Sequence, residues 1–282
     1  VLDYEYREFI AMDRPLDPQQ LAGLRAWGPP DFRVTATSLV HEYHGTGSYR
    51  PSEHLLREHF DAHLEVTGEG SHRLMVAFPR SVLRAAIDGR YLLNGAYRVW
   101  MTRNRLILDL PSDGEPSGTR WDPGDRLARM AAVRSEVLAG DMRLFYLGWL
   151  SGVQEGYVLA DDVEPPVPPG LGELSGALRE ITQFLRIDGD MIAAAAQASP
   201  RTRPASPVDL PAWIGSLPCE EKDALLAQVM SGHGDLVRAE LQDRYRSHWP
   251  GSARADEGRR AVAELWTSAE FRRRRPRGPE EE

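Results

Sequence analysis

A single cysteine, Cys219, in a chain of 282 residues excludes an intrachain disulfide and fits the reducing cytoplasm. It stands between Pro218 and the glutamates Glu220 and Glu221, an acidic setting that disfavours the thiolate a nucleophile needs. Lysine is equally scarce: Lys222 is alone, and arginine supplies the other 33 of the 34 basic side chains. That argues against Schiff-base chemistry and against nuclease sites built on a carboxylate and a lysine. No Gly-x-x-x-x-Gly-Lys occurs, which excludes a P-loop, and no Gly-x-Ser-x-Gly elbow offers the common hydrolase nucleophile. Asp188-Gly189-Asp190 lacks the remaining ligands of an EF-hand. Long apolar runs are missing too. The longest, Leu144 to Leu150, makes about two helical turns, far short of a membrane span. The opening Val1-Leu2-Asp3-Tyr4-Glu5 has neither the basic nor the apolar region of a signal peptide.

Net positive charge is the last absence. The formal charge is −8, and residues 1–163 carry 18 basic and 23 acidic side chains against 16 and 19 in 164–282. Neither part has the basic surplus that drives counterion release from nucleic acid, so nucleic acid is not the expected partner. The arginine bias, together with abundant alanine, glycine and proline, reads as the imprint of a GC-rich bacterial genome rather than as phosphate recognition.

What is present is a run of strands and helices followed by helices. Tyr4, Tyr6, Phe9 and Met12 mark a first strand within 2–13. Asp17-Pro18-Gln19-Gln20 opens a helix with a capping residue, a first-turn proline and a glutamine able to close a capping box. Leu21, Leu24 and Trp27 are its expected apolar face. A second strand is expected over 33–43, a helix over 53–67 with Leu55, Leu56, Phe60 and Leu64 inward, and a third strand over 73–78. A hairpin of 97–102 and 105–110 turns at Arg103-Asn104. Arg126 to Leu138 reads as one amphipathic helix broken by Gly140, with Asp141 starting a second through the apolar Leu144–Leu150. Helices are expected at about 172–198, 218–231, 235–249 and 256–275.

This pattern predicts an α+β fold: helices on a mostly antiparallel sheet, a ferredoxin-like or related α/β sandwich, with a helical C-terminal region. The expected division is an α+β domain over 1–160 ending in a helical hairpin, a proline-rich linker over 161–172, a helical region over 173–271 and a disordered charged tail over 272–282.

The segment Tyr4-Glu5-Tyr6-Arg7-Glu8-Phe9-Ile10-Ala11-Met12-Asp13-Arg14-Pro15-Leu16 resembles the start of a bacterial protein family whose members run an aromatic-rich strand into Asp-Arg-Pro-Leu. Phe60-Asp61-Ala62 is similar as well. So are Gly140-Asp141 with Tyr146-Leu147-Gly148-Trp149-Leu150, and Trp213-Ile214 with Glu221 to Leu226. The resemblance implies a cytoplasmic protein of this fold and carries no activity with it.

Three groups are candidate sites. Six of eight histidines fall within residues 41–72, and on the expected helix His59 and His63 stand four apart, so their rings could share an ion with His41 or His44. Zinc suits such a set, although Phe60 occupies the position where a zincin has its glutamate, and Asp61 lies about 200° round the helix from His59. The plainer reading is histidines that flank a buried Phe60 and make ordinary hydrogen bonds. Asp13 and Arg14, delivered by a strand end, could bind a ligand through a carboxylate and a guanidinium fork, or could pin their own turn. Arg272 to Arg275 with Arg277 could touch an acidic partner, but Glu280 to Glu282 neutralise the tail. These observations favour a non-enzymatic interaction or scaffold protein with a protein partner or self-association. A metal-dependent hydrolase built on the histidines, and a nucleic-acid accessory using the arginine tail, are the alternatives, and no cofactor is otherwise expected.

Overall fold

The structure is a computed structural model that describes residues 4–28, 31–44, 52–68, 70–80, 82, 91, 97–113, 124–200, 209–234, 237, 240–241, 244 and 260–274. The chain is α+β, and its contacts divide it into two compact units. The first comprises 1–80, 93–134 and 176–186; the second comprises 81–92, 135–175 and 187–282.

The first unit is built on one seven-stranded, wholly antiparallel sheet. Its strands are β1 (Tyr4–Ile10), β2 (Arg33–Val34), β3 (Ser38–His44), β4 (Ala62–Thr67), β5 (Ser71–Pro79), β6 (Arg98–Met101) and β7 (Arg105–Asp113), in the order β2-β3-β1-β4-β5-β7-β6. Helix α1 (Pro18–Trp27) starts at the expected capping box: the Asp17 carboxylate accepts from Gln20 N at 2.8 Å and Gln20 Oε1 accepts from Asp17 N at 2.9 Å. Leu24 of α1 and Leu55 and Leu56 of α2 (Ser52–Glu58) pack with Phe9, Leu39, Phe60, Met75, Ala77 and Ile107 into one core on one side of the sheet. Trp27, expected on the buried face of α1, is instead 47% exposed. On the other side α3 (Arg126–Ala131) lies against β1 and β4, and α6 (Gly176–Phe184) lies against α3.

Four expected elements are redrawn, the first being the strand expected over 33–43, which folds back at the turn between Thr35 and Ser38 into the antiparallel pair β2 and β3. The helix expected over 53–67 stops at Glu58, and its second half is β4. Leu55, Leu56, Phe60 and Leu64 keep helical spacing, yet the strand is fixed from outside. Asp61 N donates to Ile10 O at 2.8 Å, and Ala62 to Val66 pair between β1 and β5, where tertiary pairing overrides local propensity. The helix expected over 126–138 is two, α3 and α4 (Val133–Leu138), divided at Ala132. The helix expected over 172–198 is α6 and α7 (Gly189–Ala196). Arg186 takes a left-handed φ of 54° between them, and Asp188 caps α7 through Asp190 N at 2.8 Å. The expected hairpin at Arg103-Asn104 is present, closed by Thr102 N to Arg105 O at 2.9 Å.

The second unit contains α5 (Arg143–Gln154), whose residues from Leu144 to Val153 are all buried, as the apolar character of Leu144–Leu150 predicts for that part of it. It also holds α7, α8 (Asp209–Ser216), α9 (Cys219–Gln228) with a π-type turn over Val229–His233, and α10 (Val262–Arg274), which packs on α7. Residues 161–172 belong to this unit and are pinned along their length. Tyr91 Oη donates to Pro166 O at 2.6 Å, and Ser199 Oγ donates to Pro168 O at 2.7 Å. Glu164 N donates to Arg260 O at 3.0 Å. The end of the expected tail, 275–282, and most of the helix expected over 235–249 lie outside the described residues. No helix among the described residues is long and apolar enough to cross a membrane.

Candidate functional site

Asp13 is held by a residue far along the chain. Its two carboxylate oxygens accept from both terminal nitrogens of Arg134, at 2.5 and 2.7 Å, across 121 positions of sequence. Arg134 is buried and spends its Nε on Ala77 O at 2.8 Å. The backbone beside Asp13 is fixed as well, because Asp61 Oδ2 accepts from Met12 N and Asp13 N at 2.7 and 2.9 Å. Arg105 closes the network, 3.1 Å from Asp61 Oδ1 and donating to Phe60 O at 2.7 Å. Two of the stretches that carry the family resemblance, Asp-Arg-Pro-Leu and Phe-Asp-Ala, therefore meet here. Arg14 is exposed, and the bidentate partner of Asp13 is Arg134 rather than its neighbour.

The candidate histidines are dispersed. His63 is on β4 and fully buried, its ring stacked on Phe9 at 3.9 Å. Its Nδ1 lies 2.9 Å from Glu8 O, and since a carbonyl only accepts, Nδ1 carries a proton. His59 follows α2, with Gln20 Nε2 at 3.5 Å and Glu58 at 3.9 Å, and burial lowers its pKa. His41 on β3 meets Asp31 at 3.2 Å, and His44 meets Glu42 at 3.7 Å and the Tyr4 ring. Because α2 ends before His59, the four-residue spacing does not turn two rings toward one ion. Among the described residues no group of three or more His, Cys, Asp or Glu is placed to hold a metal.

The register of β3, β1, β4 and β5 sets His41, Arg7, Glu65 and Arg73 side by side at one level of the sheet. Sequence reasoning passed over this row. Its signal was a charged residue among the inward positions of β1, β4 and β5. Glu65 is the centre: His63 Nε2 is 3.4 Å away and Arg7 3.7 Å. Burial raises its pKa, but the His63 ring, Arg7 and Arg73 outweigh burial and hold it down at about 2. Arg73 is itself paired with the buried Asp109 at 2.7 and 3.0 Å, reaches Glu53 at 3.4 Å and lies over the Trp100 ring. Arg7 also pairs with Glu5. A carboxylate so acidic is a poor general base near neutrality, and every charge in the row meets an opposite one. The arrangement is suited to holding the sheet rather than to moving a proton.

A different surface stands on the second unit. On α9 and the π-type turn, Leu226, Val229 and Met230 are 63%, 42% and 85% exposed, at the i, i+3, i+4 spacing of one helical face. Among the described residues of α9, Leu225 is the buried one. Asp223 lies one turn before Leu226 at the edge of this face and is exposed, while Glu220 lies about 120° round the helix from Leu226. Glu221 pairs with Arg244, and Lys222 Nζ donates to Gly215 O at 3.0 Å. No protein-family model, curated protein or solved structure matches the chain.

Proposed function

We propose that this chain is a non-enzymatic interaction protein of the bacterial cytoplasm, whose helices beyond residue 173 dock a protein partner. The observation that carries the reading is the exposed row Leu226, Val229 and Met230. Single exposed apolar side chains are ordinary, but three that share one helical face form a patch of the kind that marks interaction surfaces. The charged row of the sheet supports the same reading, because its groups are committed to one another.

The test is a photo-crosslinking amino acid placed at Met230 in the intact chain, in cells, with the same group at the exposed Ala22 of α1 as control. A discrete adduct from position 230 and none from position 22 is expected. Irradiation that yields no adduct at 230 would withdraw the reading.

A further inference from the structure

Resting on that reading, we infer that the partner seated on the α9 row is the C-terminal end of α10 from a second copy of this chain. The argument is complementarity in both shape and charge. The face of α9 reads acid then apolar along the chain: Asp223 at its edge, followed by Leu226, Val229 and Met230. The outward face of α10 reads apolar then basic. Val262, Leu265 and Ala269 are buried, while Phe271 is 71% exposed and Arg274, one turn later, is more exposed still. Set antiparallel, Phe271 falls on Leu226, Val229 and Met230 while Arg274 falls beside Asp223. The spacing agrees, since Asp223 to Leu226 and Phe271 to Arg274 are each three residues, or about 4.5 Å of helix rise.

The ends of the helices favour the same direction. The arginine-rich last turn of α10, Arg272 to Arg274, carries the negative end of its helix dipole toward the start of α9. Arg274 meets Glu270 at 3.6 Å within its own helix, and an exposed pair of that kind exchanges at little cost. The interface is heterologous, because each copy offers one surface and accepts another, so it extends to chains of copies instead of stopping at two. One phenylalanine in a shallow patch makes a small contact, and association is transient.

Sedimentation velocity of the full chain, over a concentration series at low and at high salt, reads this directly. The weight-average mass is expected to rise with concentration past that of two copies and to fall with salt. Met230→Glu, and separately the double variant Phe271→Glu/Arg274→Glu, are each expected to weaken association by about tenfold or more. Both alter exposed side chains, and unchanged circular dichroism checks that they fold. Mixing the two variants is decisive, since one keeps the donor and the other the acceptor: the mixture forms one-to-one pairs that grow no further. A wild type that remains monomeric throughout, a dimer that saturates at two copies, or a mixture that stays monomeric overturns the inference. An adduct of position 230 with a different protein, beside a monomeric wild type, overturns self-association and leaves the interaction reading standing.

Discussion

The Glu65 row of the sheet unit and Glu164 of the second unit bury charge in opposite ways. In the sheet unit, charge is shared: Arg7 has Glu5 and Glu65, Arg73 has Asp109 and Glu53, and Glu65 has His63 and Arg7. At Glu164 of the second unit it is concentrated. Glu164 is 2% exposed and accepts from Tyr146 Oη, while Arg260 donates to it through two nitrogens and to Ala194 O at 3.0 Å. Burial and the neighbouring Glu164 raise the Tyr146 pKa well above its usual value, so the phenol keeps its proton as donor. The strands make the difference. Register places many side chains at one level, so each charge finds two partners. A helix and an extended segment cross at one point, and one carboxylate serves both donors. When Glu65 loses its charge, Arg7 and Arg73 still have Glu5 and Asp109, whereas the loss of Glu164 takes the carboxylate from both Tyr146 Oη and Arg260.

The largest expected effect breaks the concentrated network. Glu164→Ala leaves a buried hydroxyl and a largely buried guanidinium without their acceptor, and the second unit is expected to lose about 3–5 kcal/mol. Glu164→Gln keeps one carbonyl oxygen and recovers part of that. Urea unfolding followed through Trp149, which packs against Tyr146 at 5.5 Å, measures both. Equal stability of the alanine variant and wild type would erase the contrast between the units.

Acid sharpens the comparison from the other side. The Glu65 pKa is depressed from 4.5 to about 2 in the folded chain. The unfolded state therefore binds its proton first as pH falls, and stability drops. The contribution is complete above pH 4.5, and on the order of 3 kcal/mol is lost between there and about pH 2. Unfolding followed through Trp100, beneath Arg73, is expected to show that loss in wild type and a flatter profile in Glu65→Gln. An unchanged profile in the variant would remove Glu65 from the account.

What could be read from the sequence was local. The capping box at Asp17 and Gln20 involves residues three apart, the hairpin closes over Arg103-Asn104, and the apolar run of α5 declares its own burial. What could not be read was set by distant pairing. Helical spacing continues through Leu64, so β4 is visible only once Asp61 is known to take the Met12 and Asp13 amides. The Asp13 partner, Arg134, is separated from it by 121 positions and leaves no trace in composition. The row around Glu65 exists only when four strands are in register. The α9 face carries the spacing of a buried stripe, and sequence does not say that Leu226, Val229 and Met230 point outward.

The smallest expected effect therefore bears on the functional claim most directly. Met230→Ser removes an apolar side chain that is 85% exposed, so stability should stay within roughly 0.5 kcal/mol of wild type while association weakens. A core methionine behaves differently: truncating one costs about 2–5 kcal/mol, as expected for the fully buried Met75 changed to alanine. Urea midpoints of the two variants beside the sedimentation series separate the cases. If Met230→Ser destabilises the isolated chain by more than about 1 kcal/mol, the row is covered by its own chain in solution, as a core surface is. If stability is kept and association falls, the same substitution has distinguished a surface that binds from one that folds.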